Sequence, residues 1–522
     1  MGPITDADWA PAAWLVGSQL RATFQLPLAA TAVVRARAYV AAAGCHPLEV
    51  NGRRPSPDLR GVCPWTVLRK RVLYQTHDIT PLVRQGDNVV GILSNRLDAR
   101  DGLSTPLVRA ILRVETAGAT MPLLFYTTGG NSSVAGTWMQ RLSWATMTAA
   151  GHPQWLRGWQ MHMNWTAEEA GWSSPGSFRP GQQWSPAVSQ PFTATSPAQQ
   201  MPWASVIRHV PPINTRKLTS NNSHVSWLYK FSRNLVGMIE IKPLANATTG
   251  SQVMLVHGEW LEEKDTTGLQ RCEMETCGSG AVPVVSGGLQ SVVHTLRRNN
   301  SASLSSVFAY MGFQYIKVVA AHDSSFSGGL DALVALEIHP DVTSTGQLTF
   351  GGDGVAGSLS EHGAEVLSGV QSMLLGSQLS NLAAYIPTSC PTTEKQGWLG
   401  DALFASEESM YNFDLEAIYQ SWLTTVEDNQ GPSGDVPYVS PGSTPGPESC
   451  NDISWTSAFP RIASYVTTYY GSLRAAERHW PSMSKYVDNL IDHVANGSHS
   501  VATCDQVSND SYRLVNDCSA WW

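Results

Sequence analysis

The chain carries little charge for its size. Asp, Glu, Lys and Arg make up 15% of its 522 residues, against roughly a quarter in an average soluble domain. The formal net charge is -8 and no basic cluster offsets it, so nucleic acid is not an expected partner. No stretch approaches about 18 consecutive apolar residues, so no membrane-spanning helix is expected. No Cys-x-x-Cys pair or histidine cluster has zinc spacing, and neither a metal site nor a cofactor is expected. A GxSxG elbow, a P-loop and HExxH are all missing, and no internal repeat has a fixed period. The opening MGPITDADWAPAAW has two early acids and no apolar core, so it does not read as a signal peptide.

What the chain does have is tryptophan, 19 residues of it. The rings either fill the cores of large domains or stack on sugar faces, where a broad apolar ring meets C–H groups and the indole N–H finds a polar partner. Eight cysteines are thinly spread. Cys272 with Cys277, Cys45 with Cys63 and Cys504 with Cys518 are the pairs expected. Asn131, Asn164, Asn221, Asn246, Asn299, Asn496 and Asn509 each begin an N-x-S/T sequon. Chance would supply about three, so a secreted or secretory-pathway glycoprotein is expected, with its true N-terminus missing from this sequence.

The length suggests three or four domains. Charged and apolar residues alternate in AVVRARAYVAA (32–42), as in a half-buried strand. Asn51-Gly52 then marks a hairpin, and VLYQTHDI and DNVVGILS follow as further short strands. That spacing suggests a sandwich or jelly roll. Residues 173–212, rich in Pro, Ser and Gln, read as a linker or a surface excursion. A second β region follows with HVSWLYKFS, VGMIEIKPL, SQVMLVHGEWL and VFAYMGFQYIKVVAA. Beyond residue 350 the period changes. Leu415, Ile418, Trp422 and Val426 form one helical stripe, and Met483, Tyr486, Val487, Leu490, Ile491 and Val494 form another. Strands first and helices later indicate separate domains. Gly352, Gly354 and Gly357 match GxGxxG, but no βαβ unit follows, so they read as an interdomain turn.

The segment CPTTEKQGWLGD (390–401) concentrates chemistry. Gly397 and Gly400 suggest unusual backbone angles and Pro391 discourages a helix before them. The segment therefore reads as a shaped loop, with a helix starting near Asp401. Glycoside hydrolysis needs one protonated carboxyl to protonate the leaving oxygen and one carboxylate to activate water or attack carbon. The donor needs a raised pKa, hence a partly dry, aromatic-walled pocket. Glu394 beside Trp398 fits that need, or else it is an exposed loop acid. Asp401 would bind sugar hydroxyls, cap the helix, or do both. Trp398 is a pocket wall or a core anchor.

The run IPTSCPTTEKQGWLGDALF (386–404) resembles the signature loop of the bacterial-type α-L-rhamnosidases, PTDCPQREKRGWTGD in its usual form. The resemblance extends in order through NGRRPSPDLRGVCPWTVLRKRVLYQTHDITPLVRQGDNVVGI, AGWSSPGSFRPGQQW, FSRNLVGMIEI, HGEWL, FAYMGFQYIKV and YNFDLEAIYQSWLTTVEDNQGPSGDVPYVSP. It implies a multidomain fold. Residues 1–200 would be an N-terminal β-sandwich with a Pro/Ser-rich linker, 201–348 a second, concanavalin-like β-sandwich, and 349–522 the N-terminal half of an all-α (α/α)6-barrel catalytic domain. It implies hydrolysis of terminal α-L-rhamnosides or rhamnosyl polysaccharides with inversion. Glu394 takes the position of the general acid, Asp401 that of the loop's active-site aspartate, and Trp398 that of its pocket-shaping Trp.

The departures are specific. Ser389 stands where the family has Asp. Ser457, in the Trp455-Thr-Ser-Ala segment, stands where the family has a second pocket acid. KFSRN replaces DFGQN and leaves Asn234 in place. A serine keeps a hydrogen bond but no charge, which costs about 1.5–3 kcal/mol of substrate binding at each such position. Ser389, Trp455 and Ser457 are thus expected substrate-binding positions, with a weakened grip at the two serines. Only about 170 residues follow residue 350, roughly half of what the family's barrel uses, and no residue is nominated as the general base. Glu427 and Asp428 read as the solvated surface of a helix. A missing base would cost about 10²–10⁴ in rate. The alternative expectation is therefore a non-catalytic, carbohydrate-binding remnant of a rhamnosidase.

Overall fold

The computed structural model describes residues 4–27, 32–62, 64–96, 103, 105–128, 138–150, 158–176, 178, 181, 183–220, 223–265, 268–278, 280–285, 290–350, 360–387, 390–392, 395–442 and 453–495. The chain is β-rich first and helical last, as its two periodicities predict.

The N-terminal unit is a sandwich. One sheet is built around Val33–Ala43 and Leu107–Thr116, and the facing sheet around Gln19–Leu26 and Gly86–Leu93. Alternation decides which side chains meet. Ala36, Ala38, Val40 and Ala42 enter one core with Leu20, Ala22, Phe24, Val90 and Ile92. The odd-numbered Tyr39, Ala41 and Ala43 face a second cluster holding Trp9, Trp14 and Tyr74. The Pro- and Ser-rich run is a surface excursion that stays tied to this unit. Val188–Ser189 pairs with Leu15–Val16, and Thr195 bridges to Arg71.

A ten-stranded sheet follows, centred on His224–Ile241, Met311–Ala321 and Leu333–Pro340. Ala145–Ala150 and Gly158–Asn164 also belong to it, through the parallel pairing of Gly158–Asn164 with Gln290–Thr295. The sheet is therefore assembled from both sides of residue 200. Leu235, Ile239, Ile241, Leu333 and Ala335 point into one core, while Val236, Met238, Leu336 and Ile338 point into another. A strand buried on both faces reads as continuous hydrophobic sequence, as LVGMI (235–239) does before Glu240 breaks the run and pairs with Arg60.

The second of those cores is shared with the helices. Leu382, Tyr385, Leu399, Phe413, Ile418 and Trp422 pack into it. The helical block comprises Glu361–Asn381, Leu399–Asn412, Glu416–Asn429, Ala458–Tyr470 and Arg474–Ala495, with a short turn of helix at Ile453–Thr456. Ile418, Trp422 and Val426 are buried as one stripe, with Leu415 just before the helix. The second stripe divides. Met483 and Tyr486 are buried and Leu490 packs beside them, but Val487 and Ile491 are 43% and 58% exposed. The side chain of Val494 lies outside the described residues. The buried face follows the i, i+3, i+7 positions, and Val487 and Ile491 lie one step round the helix from it.

Glu427 and Asp428 are not solvated surface. Asp428 forms a 2.7 Å ion pair with Arg71 of the N-terminal unit, whose Nη2 also donates to Thr425 Oγ1 at 2.7 Å. Lys70 Nζ donates to the Asp428 carbonyl oxygen. The Glu427 carboxylate meets His479 Nδ1 at 3.0 Å and accepts from Ser482 Oγ. Burial works against the Glu427 charge, but these bonds hold its pKa below the usual range. The helix has neighbours on several sides, so its polar face meets another unit instead of water. Removing one partner of a largely buried pair strands the other. Arg71→Ala is expected to destabilise the protein by roughly 3 kcal/mol, read as a lower denaturant midpoint with unchanged secondary structure.

Cys272 and Cys277 form the expected disulfide. Cys45 is disulfide-bonded, and its expected partner Cys63 lies outside the described residues, as do Cys504, Cys518 and the three glycines of the GxGxxG match.

Candidate active site

The signature loop leads into the Leu399–Asn412 helix, and Trp398 occupies the N-cap position without a side-chain capping bond. Asp401 is therefore not the cap. It lies inside the first turn, where a carboxylate meets the positive end of the helix dipole. The helix begins two residues earlier than expected because the chain is pinned there from outside. Leu399 N–H donates to the Tyr438 carbonyl at 2.8 Å, and Ser440 N–H donates to the Gly397 carbonyl at 2.8 Å. Residues 430–442 are thus an extended return to the loop, with Trp398 bridged to Val439.

Gly397 and Gly400 do not adopt positive φ; Lys395 does, at 51°. The two glycines are needed for close approach instead. A Cβ on Gly397 would overlap the Ser440 carbonyl oxygen, and one on Gly400 would come within 2.6 Å of the Trp455 ring. Trp422 Nε1 donates to that same Ser440 carbonyl at 2.9 Å. Gly397→Ala is expected to lower stability by about 1–3 kcal/mol and to loosen the loop from its return strand, measured as an earlier thermal transition.

These contacts assemble three rings. Trp398 stacks on Tyr438 with centroids 5.4 Å apart and planes 7° from parallel. Trp455 stands edge-on to both, 5.4 Å from Trp398 and 6.2 Å from Tyr438. All three are only partly buried, so ring surface is left for a ligand. Asp401 follows directly on Gly400, against which Trp455 packs. Ser457 precedes the Ala458–Tyr470 helix and makes no side-chain capping bond. Trp398, Asp401, Trp455 and Ser457 are therefore carried by two neighbouring helix starts. Glu394 and Ser389 lie outside the described residues.

The loop's other anchor is Lys395. It is 5% exposed and donates from Nζ to the carbonyls of Pro391 (2.6 Å) and Thr392 (2.8 Å). The ammonium lies 4.7 Å from the centre of the Tyr310 ring, which comes from the β region. Burial pushes its pKa down to about 7, against the opposing pull of Cys390 and Glu259. Glu259 accepts from Asn234 at 2.6 Å, so the retained Asn of KFSRN and the Glu of HGEWL sit on the β side of this loop. Cys390 Sγ is 2.8 Å from Thr392 Oγ1. Sequence reasoning singled out neither Lys395 nor Tyr438. Pro437, Pro441 and Gly442 were the available signal that 430–442 leaves the helix and returns. Among the described residues, no group of three or more His, Cys, Asp or Glu is placed to hold a metal ion, and no helix is long and apolar enough to cross a membrane.

Comparison with known proteins agrees with this architecture. Residues 31–207 match the α-L-rhamnosidase N-terminal domain, residues 220–336 the bacterial α-L-rhamnosidase concanavalin-like domain, and residues 363–514 the bacterial α-L-rhamnosidase six-hairpin glycosidase domain. An α-L-rhamnosidase of Streptomyces avermitilis is 25% identical over 497 residues, 91% of this chain and 42% of that protein. One from Formosa agariphila is 21% identical, over 86% of this chain and 45% of its own length. Among solved structures, the α-L-rhamnosidase from Dictyoglumus thermophilum superposes with a TM-score of 0.74 at 21% identity, covering 94% of this chain and 52% of that one. The Streptomyces avermitilis enzyme complexed with L-rhamnose gives 0.70 at 22%, covering 93% and 43%. The chain thus spans about half the length of the relatives it matches. With matches to three successive domains in the expected order, this chain belongs to the bacterial α-L-rhamnosidase family.

Proposed function

We propose that this chain carries the acid-side half of an α-L-rhamnosidase site and hydrolyses terminal α-L-rhamnosides with inversion, Glu394 protonating the leaving oxygen. The observation that carries the proposal is the cluster of partly exposed rings, Trp398, Tyr438 and Trp455, at the end of the loop that holds Glu394 in sequence. Such rings accept the C–H face of a deoxysugar, and apolar walls near a carboxyl favour its protonated form. Asp401, in the first turn of the helix, is the group proposed to engage sugar hydroxyls. Inversion calls for a water between the acid and a base roughly 6.5–9.5 Å away. The test is a panel of aryl glycosides of several sugars, with the product anomer followed by NMR. α-L-Rhamnoside turnover giving the β anomer first supports the proposal. Turnover of another sugar instead, or α anomer first, contradicts it.

A second reading is a carbohydrate-binding protein without turnover. Ser389 and Ser457 favour it, since each lacks the charge that the family places there. Binding of a rhamnose-containing glycan with no hydrolysis by a folded sample is the result that selects it. We also propose passage through the secretory pathway, supported by seven sequons and the Cys272–Cys277 disulfide; glycopeptide mass spectrometry of protein from its native source, finding every sequon bare, would count against it.

A further inference from the structure

A second cleft, in the N-terminal sandwich, is built from other residues. It is an open cavity of about 530 Å³ between the Asp6–Trp9 turn of helix and residues 189–195, a size that suits a small ligand. Arg109 lies in it with its guanidinium 4.6 Å from the ring centres of both Trp9 and Trp14. Phe192 stands edge-on to Trp14 at 5.2 Å.

The polar lining of this cleft mixes donors and acceptors, with Asp6, Ser189, Gln190, Thr193 and Thr195 among them, and Arg109 is the one cation in that lining. Arg109 Nη2 donates to Ser196 Oγ at 2.5 Å, while Arg109 Nε, Trp9 Nε1 and Trp14 Nε1 have no hydrogen-bond partner among the described residues. Trp9 and Trp14 are 1% and 4% exposed. These three nitrogens are closed off from the cleft, so the group a ligand there can meet is the remainder of the Arg109 guanidinium, which lines it. Asp6, on the exposed rim, favours the Arg109 charge only across space, and burial holds the Arg109 pKa down at about 10. A guanidinium clamped by two rings is a planar donor matched to a carboxylate. The apolar wall of Phe192 and the open mouth suit a ring attached to that carboxylate rather than a bare ion.

We propose that this cleft binds a carboxylate-bearing saccharide of the uronic acid type, with Arg109 engaging the carboxylate and the neighbouring aromatic wall facing the sugar ring. The proposal is independent of the catalytic reading, because none of these residues belongs to the signature loop or to the C-terminal helical block.

The test is titration calorimetry of the full chain with trigalacturonate, its neutral methyl ester, and acetate. Trigalacturonate is expected to bind about tenfold or more tightly than the ester, since one charged hydrogen bond supplies that factor, and acetate is expected to bind more weakly than trigalacturonate. Arg109→Met is expected to erase the preference for the acid. Because that variant removes a packed, charged side chain and puts folding at risk, Asp6→Asn at the exposed rim serves as the second probe. It is expected to tighten trigalacturonate binding by removing a like charge. Equal affinity for acid and ester, a preference that survives in folded Arg109→Met, or weaker binding in Asp6→Asn overturns the proposal. Acetate binding as tightly as trigalacturonate overturns its saccharide component.

Discussion

Acidification from pH 7 to pH 5 is expected to unfold this protein while its disulfide stays intact. Among the described residues, His46, His77, His257 and His294 are buried and their pKa values are strongly lowered. Burial pushes the pKa of His46 down to about 4 and those of His77, His257 and His294 down to about 3. The nearby His46 adds to the effect at His77, and Lys395 and His294 add to it at His257. Both ring nitrogens of His46 and of His77 lack hydrogen-bond partners among the described residues, so no acceptor there stabilises a second proton. Above the ordinary histidine pKa of about 6.5 the folded and unfolded states are both neutral at these positions, and stability does not change with pH on their account. Below it the unfolded chain takes up protons that the folded one refuses, so stability falls with pH until the folded pKa values are reached. Each histidine contributes about 1.4 kcal/mol per pH unit. Four of them remove roughly 5 kcal/mol per unit, comparable with the whole stability of many domains. Denaturant midpoints at pH 7.5, 6.0 and 5.0 should fall steeply, and a His77→Gln variant should show a slope smaller by nearly one proton. A flat profile across this window would show that these rings are not buried as described.

Glu394→Gln is the second large effect, and its size should depend on the leaving group. A general acid matters most when the departing oxygen is a poor leaving group, because the proton must then arrive as the bond breaks. An alkyl or sugar aglycone should lose about 10²–10⁴-fold in kcat/KM. A nitrophenolate, which leaves without much help, should lose much less. The alkaline limb of the pH profile should be lost in the variant, since that limb reports deprotonation of the acid and an amide does not titrate in the working range. Equal losses on both leaving groups would point to a role in binding rather than proton transfer. Asp401→Asn should act differently, raising KM more than it lowers kcat if the group holds sugar hydroxyls.

The features legible in the sequence are those set by local period. Alternation along AVVRARAYVAA marks a strand whose two faces do enter two different cores, and the Leu415–Val426 stripe marks a helix that is buried as drawn. The order of β and α blocks follows from the same signals. What was not legible depends on residues far apart in the chain. Gly397 is required by Ser440, and Gly400 by Trp455. Tyr438 meets Trp398 only because residues 430–442 turn back. Asp428 resembles a surface acid until Arg71, more than 350 residues earlier, is placed beside it. Asp401 resembles a helix cap until the return strand starts the helix at Leu399. Local pattern reports a residue's own element, whereas the partner that fixes its job belongs to another element.

The most direct test of the central claim is hydrolysis of p-nitrophenyl α-L-rhamnoside and of a rhamnosyl disaccharide by the purified, folded chain beside its Glu394→Gln variant. The account predicts turnover of both substrates by the parent chain, with the disaccharide reaction slowed about 10²–10⁴-fold in the variant. A well-folded parent chain that binds rhamnosides and turns over neither would contradict it, and would leave the Trp398, Tyr438 and Trp455 rings as part of a binding site alone.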